Sequence, residues 1–280
     1  MLINWYPGHM AKTKRQLQEQ LGRVDVVIEL CDARLPYSSR NPDLEKMIVN
    51  QKVILVLNKA DLADPNVTAL WIKQFREKGL TVYPFSASSG KGKDLLAWID
   101  EAAKAKVAKA LEKGVRKVVR VMVAGVPNVG KSTLINRLHG SSIAKTGDTP
   151  GVTKSNQWVN ISPYLQLMDS PGLLWPRLDD QTAARRLCYI GSVKDDVVDT
   201  AMLTINLLQE LLAVRPGPVM ERFKIRNGEL QGEELLQEVC RGRGFLLKGG
   251  NYDYDRCCQV VLDEFRAGKC GRISLEVPEG

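Results

Sequence analysis

Along the first two thirds of the chain, apolar residues gather in short strand-length runs separated by stretches of helical texture. VDVVIEL (24–30), KVILVLN (52–58), LTVYPFS (80–86) and RKVVRVMVAG (116–125) are such runs, and their enrichment in Val, Ile and Leu predicts strands alternating with helices. NQWVNI and YLQLMD, the latter ending at Asp169, predict two further strands paired with each other. After Pro171-Gly172 the spacing becomes helical, through TAARRLCYIG, TAMLTINLLQELLA, GEELLQEVCRGRG and YDRCCQVVLDEFRAG. The expected organisation is an α/β domain over residues 1–175 and a small all-helical domain over 176–280, the boundary falling near 174–180. No internal repeat or low-complexity tract interrupts it.

The length of 280 residues agrees with two domains, at roughly 100 to 200 residues each. No apolar stretch approaches the ~18 residues that span a bilayer, and the opening MLINWYPGHMAKTKRQ lacks the apolar core of a signal peptide, so no membrane span and a cytoplasmic location are expected. Cys31, Cys188, Cys240, Cys257, Cys258 and Cys270 show no CxxC spacing, which argues against a zinc site or disulfide framework and for reduced, buried thiols. The net charge of +8 is uneven: 25 basic against 15 acidic residues up to Leu173 (+10), then 15 against 17 (−2). A basic first part raises the prospect of a polyanionic partner such as RNA, beside the plainer reading of solvated lysines.

Gly125-Val126-Pro127-Asn128-Val129-Gly130-Lys131-Ser132 matches GxxxxGK[ST] between a predicted strand and the helical run STLINRL, the context a phosphate loop requires. Its glycines turn backbone N–H groups inward, Lys131 reaches the β and γ oxygens, and Ser132 ligates Mg²⁺, with Asn128, Val129, Gly130 and Thr133 completing the cradle. Asn58-Lys59-Ala60-Asp61 ends the strand KVILVLN and matches NKxD; Asp61 would accept from the guanine N1–H and amine, which adenine lacks, while Asn58, the Lys59 stem and Ala60 support the base. An Asp61 helix cap is the alternative. Ser86-Ala87-Ser88-Ser89-Gly90-Lys91-Gly92 ends the next strand and resembles the SAxxGxG loop that reads guanine O6. Asp148-Thr149-Pro150-Gly151-Val152-Thr153 resembles switch I, with Thr153 the expected Mg²⁺ and γ-phosphate contact and Thr149 second. Asp169-Ser170-Pro171-Gly172 resembles DxxG, in which Asp169 holds Mg²⁺ through water and the Gly172 N–H senses the γ-phosphate.

The order of these motifs is NKxD, SA, P-loop, switch I, DxxG. The fold class expected is therefore α/β, a P-loop GTPase fold with circularly permuted motif order followed by a small all-helical C-terminal domain; strands are held laterally, so a permuted chain can build the same sheet if residues 92–115 bridge the old ends. Together with Asn4–Lys12 (NWYPGHMAK) and the DARxPxxSRNP segment from Asp32 to Pro42, these motifs resemble the circularly permuted GTPases of the YlqF/RbgA family, ribosome biogenesis GTPase A, along essentially the whole chain. The resemblance implies a GTPase that acts late in maturation of the large (50S) ribosomal subunit, with the C-terminal domain contacting rRNA. No DNA partner is expected, and a monomer is.

Leu173 stands where Ras-like enzymes carry a water-orienting glutamine. His9, in WYPGHM, is the candidate to serve instead; the family implicates the corresponding histidine, and an exposed or packed histidine is the alternative. His139, at the end of the P-loop helix, suits a cap or surface role. Arg34 and Arg40 are conceivable arginine fingers. Asn128 resembles the asparagine that helps related GTPases hold K⁺, against a plain loop asparagine, so K⁺ joins GTP and Mg²⁺ as an expected cofactor. Between Lys104 and Arg120 lie seven basic residues and one acidic; Lys106, Lys109 and Lys113 fall on one helical face that either meets rRNA phosphates or is simply solvated. Arg222, Lys224, Arg226 and Arg241, Arg243, Lys248 form two further basic clusters, and Phe245, Tyr252 and Tyr254 either stack on bases or pack in the core. The leading expectation is a Mg²⁺-dependent, ribosome-stimulated GTPase; the competing one is a GTP-sensing RNA-binding module with negligible hydrolysis.

Overall fold

The computed structural model describes residues 8–140, 157–172, 174 and 180–278, the side chains of 8–13 and 157 excepted. Among them, β1 (Val26–Asp32), β2 (Lys52–Asn58), β3 (Thr81–Pro84), β4 (Val119–Gly125), β5 (Gln157–Ser162) and β6 (Leu165–Asp169) build one sheet in the order β3-β2-β1-β4-β6-β5. Neighbouring strands run parallel except β5, which pairs with β6 as expected and does so antiparallel. The chain starts at the centre with β1, moves out to the β3 edge, returns to the centre at β4 and leaves through β6. Adjacent β1 and β4 therefore send their connections to opposite sides, and at such a switch point a crevice opens above the carboxyl ends of the strands.

The return from edge to centre is made by α4 (Gly92–Leu111), a helix of 20 residues that covers most of the stretch expected to bridge the permuted ends. Its Leu95, Ile99 and Ala103 are buried with Val26, Ile28 and Leu30 of β1. The other face of β1 lays Val27 on Leu17 and Leu21 of α1 (Gly8–Leu21) and on Leu44 of α2 (Pro42–Met47). A strand covered on both faces needs a continuous apolar run rather than alternation, and each such side chain stabilises the fold by about 1.5–3 kcal/mol. α3 (Pro65–Glu77) starts on Pro65, with Asp64 accepting from the N–H groups of Asn66 and Val67. The helix cap is thus Asp64, not Asp61.

Beyond the sheet come α6 (Gln181–Tyr189), α7 (Thr200–Val214), α8 (Pro216–Phe223), α9 (Gly232–Arg243) and α10 (Tyr254–Arg266); α6, α7, α9 and α10 are the four helical stretches read from the sequence, and α8, which starts on Pro216, is not among them. Their Leu187, Leu207, Leu211, Val261 and Phe265 share one apolar cluster with Leu30 of β1. All six cysteines are free and buried. Residues 272–277 then return across the sheet's flank: Ile273 N donates to Leu62 O and Leu275 N to Arg34 O, each at 3.0 Å. Glu276 fastens the end, its carbonyl accepting from Trp71 Nε1 at 2.9 Å and its carboxylate from the N–H groups of Tyr37 and Ser38 and from the Ser38 hydroxyl. Among the described residues no helix is long and apolar enough to cross a membrane.

Candidate functional site

The phosphate loop, the NKxD and SA loops and the DxxG turn converge above the carboxyl edge of the sheet. β4 ends at Gly125, where φ is +154° and a Cβ would lie 2.5 Å from Leu30 O; only glycine lets β4 pass this close to β1. The loop closes at Gly130, φ +99°, where a Cβ would lie 2.4 Å from Asn58 Nδ2. α5 (Lys131–His139) starts there with no side-chain cap, so its first N–H groups suit an anion in place of a capping side chain. Lys131 is buried, its ammonium donating to Val126 O at 2.9 Å and Gly125 O at 3.3 Å. Burial lowers its pKa to about 8, with the Asp169 carboxylate pulling the other way.

Next to β4, the last residue of β6 is Asp169, paired in register with Val123. The Ser132 hydroxyl donates to Asp169 Oδ2 at 2.9 Å, so two of the three expected Mg²⁺ contacts stand together. A hydroxyl and a carboxylate are the hard oxygen donors Mg²⁺ takes, usually with water and substrate phosphates completing the shell. Among the described residues no group of three or more His, Cys, Asp or Glu side chains is arranged to hold a metal. Gly172 lies against the phosphate loop, a Cβ there falling 2.7 Å from the backbone of Pro127. Any side chain would push the DxxG turn away from it.

On the opposite flank Asn58 joins three loops. Its Nδ2 donates to Val129 O at 2.7 Å, and its Oδ1 accepts from Ala87 N at 2.9 Å. Ala60 N donates to Phe85 O at 3.0 Å, drawing the NKxD and SA loops together, and Arg137 of α5 grips Ala87 O and Ser88 O. Lys59, with φ +59°, sends its ammonium to Asn128 O at 2.9 Å. Asp61 is exposed beside this assembly. Thr133 is half-buried in the first turn of α5. Thr149, Thr153 and Leu173 lie outside the described residues, as does the His9 side chain, whose backbone opens α1.

The family model of the 50S ribosome-binding GTPase matches residues 120–222, the stretch holding the phosphate loop and DSPG. The ribosome biogenesis GTPase A of Bacillus cereus is 42% identical over 281 residues, covering 100% of this chain and 95% of the relative. The chain belongs to the ribosome biogenesis GTPase A family. Solved structures agree: GDP-bound YlqF superposes with a TM-score of 0.70 at 25% identity, over 95% of this chain and 100% of the other. GNP-bound YlqF from T. maritima gives 0.67 at 27% identity, over 96% and 99%.

In this member of the ribosome biogenesis GTPase A family, the DAR segment departs from its sequence reading. Arg34 is 1% exposed; its Nε and Nη2 hold the Asp32 carboxylate at 2.9 and 2.7 Å, and its Nη1 donates to Phe265 O on α10 at 2.7 Å. Arg40 is bound to Glu29 at 3.0 Å. Neither is an arginine finger, because each guanidinium is consumed by a buried carboxylate. Asp32 also pairs with Lys59 at 3.2 Å. Burial alone would raise the Asp32 carboxyl, but Arg34 and Lys59 outweigh it and hold it well below the usual carboxylate range.

The helical part reaches the phosphate loop directly. Asn128 Nδ2 donates to Gly191 O and the Ser192 hydroxyl to Pro127 O, both at 2.7 Å. Arg266 of α10 fixes that turn through Tyr189 O, Cys188 O and Asp195. The amide nitrogen of Asn128 is thereby given to the helical part.

The basic clusters are also partly spent. Lys106 and Lys117 pair with Asp25, and Lys113 lies beyond the end of α4, so the predicted three-lysine face reduces to exposed Lys109 with Lys113 in the following turn. Arg222 and Arg243 clasp Glu264; burial opposes them, yet they hold its carboxyl down to about 2. Phe245 is buried between Arg243 and Arg256, a core residue rather than a platform for a base. Sequence reasoning missed Asp32, Gly191 and Glu276; the run of DAR and SRNP was the one signal pointing to the first.

Proposed function

We propose that this chain binds GTP, hydrolyses it to GDP and phosphate, and uses the cycle as a switch in late assembly of the large (50S) ribosomal subunit. The observation that carries this reading is the bridge from Asn58 to Val129 O and Ala87 N, which fastens base-reading and phosphate loops into one cradle despite the permuted order. Full-length similarity to ribosome biogenesis GTPases A supports the ribosomal role.

In this reading Asp61 selects guanine, with Asn58, Lys59, Ala60, Ser86 and Ala87 shaping the base pocket. Asn128, Val129, Gly130, Lys131, Ser132 and Thr133 hold the phosphates. Ser132, Thr153 and Asp169 would hold Mg²⁺, which when bound neutralises charge developing on the phosphate oxygens. Lys131 contributes a point charge, and the Gly172 N–H senses the γ-phosphate. His9 orients the attacking water, the role Leu173 cannot fill, and Asn128 would help hold a K⁺ ion, which would supply the positive charge that Arg34 and Arg40 do not. Residues 1–175 form the nucleotide domain and 176–280 the rRNA-facing domain of a cytoplasmic monomer. A second reading, a GTP sensor with negligible hydrolysis, is favoured only by Leu173.

Because Asn128 and Pro127 of the phosphate loop touch the helical part, and Gly172 lies against Pro127, occupancy of the γ-phosphate site should set how the helical domain docks. Co-sedimentation of the full chain with 50S particles tests this. Stronger binding with a GTP analogue than with GDP is expected; equal binding in the two states would contradict a switch.

A further inference from the structure

Two non-glycine residues of the site, Lys59 at φ +59° and Asn128 at φ +62°, have left-handed backbones and are bonded to each other. Such conformations persist when surrounding contacts over-determine them. For Lys59 those contacts lead away from the nucleotide: its ammonium is 3.2 Å from Asp32 Oδ2. The Asp32 carboxylate is wholly buried and held by the Arg34 guanidinium, which donates onward to Phe265 O and lies 4.7 Å from the Phe265 ring on α10. From α10, Arg266 binds Tyr189 O and Cys188 O, and the turn they precede receives Asn128 Nδ2 at Gly191 O. The path closes on itself, from phosphate loop to guanine loop to α10 and back.

We propose that Asp32 and Arg34 are positioning residues for the guanine nucleotide, holding Lys59 over the base pocket through an ionic relay anchored on α10. This rests on the guanine reading of Lys59 and Asp61 given above. Asp32 supplies the anion that fixes the Lys59 ammonium between two loops. Arg34 keeps that anion charged and in place, and α10 keeps Arg34 from swinging. The seating of α10 is thereby read at the base pocket. Lys59 without this partner keeps its bond to Asn128 O but loses the charge that sets the path of its stem.

The test is release of a fluorescent GDP analogue from the full chain, measured for wild type, Arg34→Gln, Lys59→Met and the double variant, with thermal melting as a folding control. Arg34→Gln is expected to speed release about tenfold, the rate equivalent of about 1.4 kcal/mol, and the double variant is expected to release no faster than the faster single variant. Effects that multiply in the double variant would overturn the relay, because residues that do not act through each other contribute additively in free energy. Wild-type release from a folded Arg34→Gln would overturn it too. Where Arg34→Gln fails to fold, Arg34→Lys and Asp32→Asn carry the same comparison with Lys59→Met. Failure of the wild type to bind the GDP analogue at all would instead bring down the guanine reading itself.

Discussion

The amide of Asn128 donates to the carbonyl of Gly191 at 2.7 Å, across 63 residues of sequence. One partner sits in the phosphate loop and the other in the turn after α6, so the loop expected to hold the β- and γ-phosphates is also an anchor point of the helical part. Gly191 has φ +71°, and a Cβ there would lie 3.0 Å from Asn128 Nδ2 and 3.3 Å from Arg266 Nε.

Gly191→Ala therefore combines backbone strain with crowding. We expect a loss of about 1–3 kcal/mol, seen as a fall in Tm of about 2–4 °C per kcal/mol for a chain of this size. An unchanged Tm would show that the turn does not bear on stability.

Asp61 is exposed and does not cap α3, that place being taken by Asp64. Asp61→Asn should weaken GTP about tenfold to hundredfold, the worth of a charge-assisted hydrogen bond, and shift preference toward XTP. Competition of GTP and XTP for the folded variant checks this; undiminished preference for GTP would count against the assignment.

Lys131 carries a pKa lowered to about 8 by burial, Asp169 opposing. Nucleotide phosphates favour the ammonium, so the bound value is higher than the free one and binding takes up a proton above pH 8. Affinity for GDP should be flat below pH 8 and fall as pH rises beyond it, by at most about tenfold per pH unit. Titrations from pH 7 to 9.5 test it, with Lys131→Ala lacking this component.

The surface lysines separate in the same way. Lys106 is tied to Asp25, so Lys106→Ala should lower Tm rather than RNA affinity. Lys109 and Lys113 are exposed, and each alanine substitution should lower the magnitude of the salt slope of 50S binding by about 1 if it meets a phosphate.

Much of the sheet and most of the cradle were legible because their signals are local. Runs such as KVILVLN have strand length and sit between turn residues, and Gly125, Gly130, Lys131 and Ser132 announce a loop whose glycines the geometry requires. What escaped were partners far apart in sequence. Arg34 read as a free cation until Asp32 and Phe265, the latter 231 residues away, enclosed it. Lys106 and Arg222 were open to reading as RNA contacts until Asp25 and Glu264 claimed them. Glu276 sits in a stretch without periodicity, and only the fold brings it to Tyr37 and Ser38. Charge pattern along a chain shows where cations are, but pairing is decided by packing.

The proposed GTPase cycle is coupled to the large ribosomal subunit. Its most direct test is phosphate release from GTP by the full chain in K⁺ buffer, with and without 50S particles, using Lys131→Ala as the blank. Turnover that is slow alone and stimulated by 50S is the predicted result. Bound GTP with no turnover above the blank in either condition would contradict it, leaving a nucleotide sensor and removing His9 from hydrolysis.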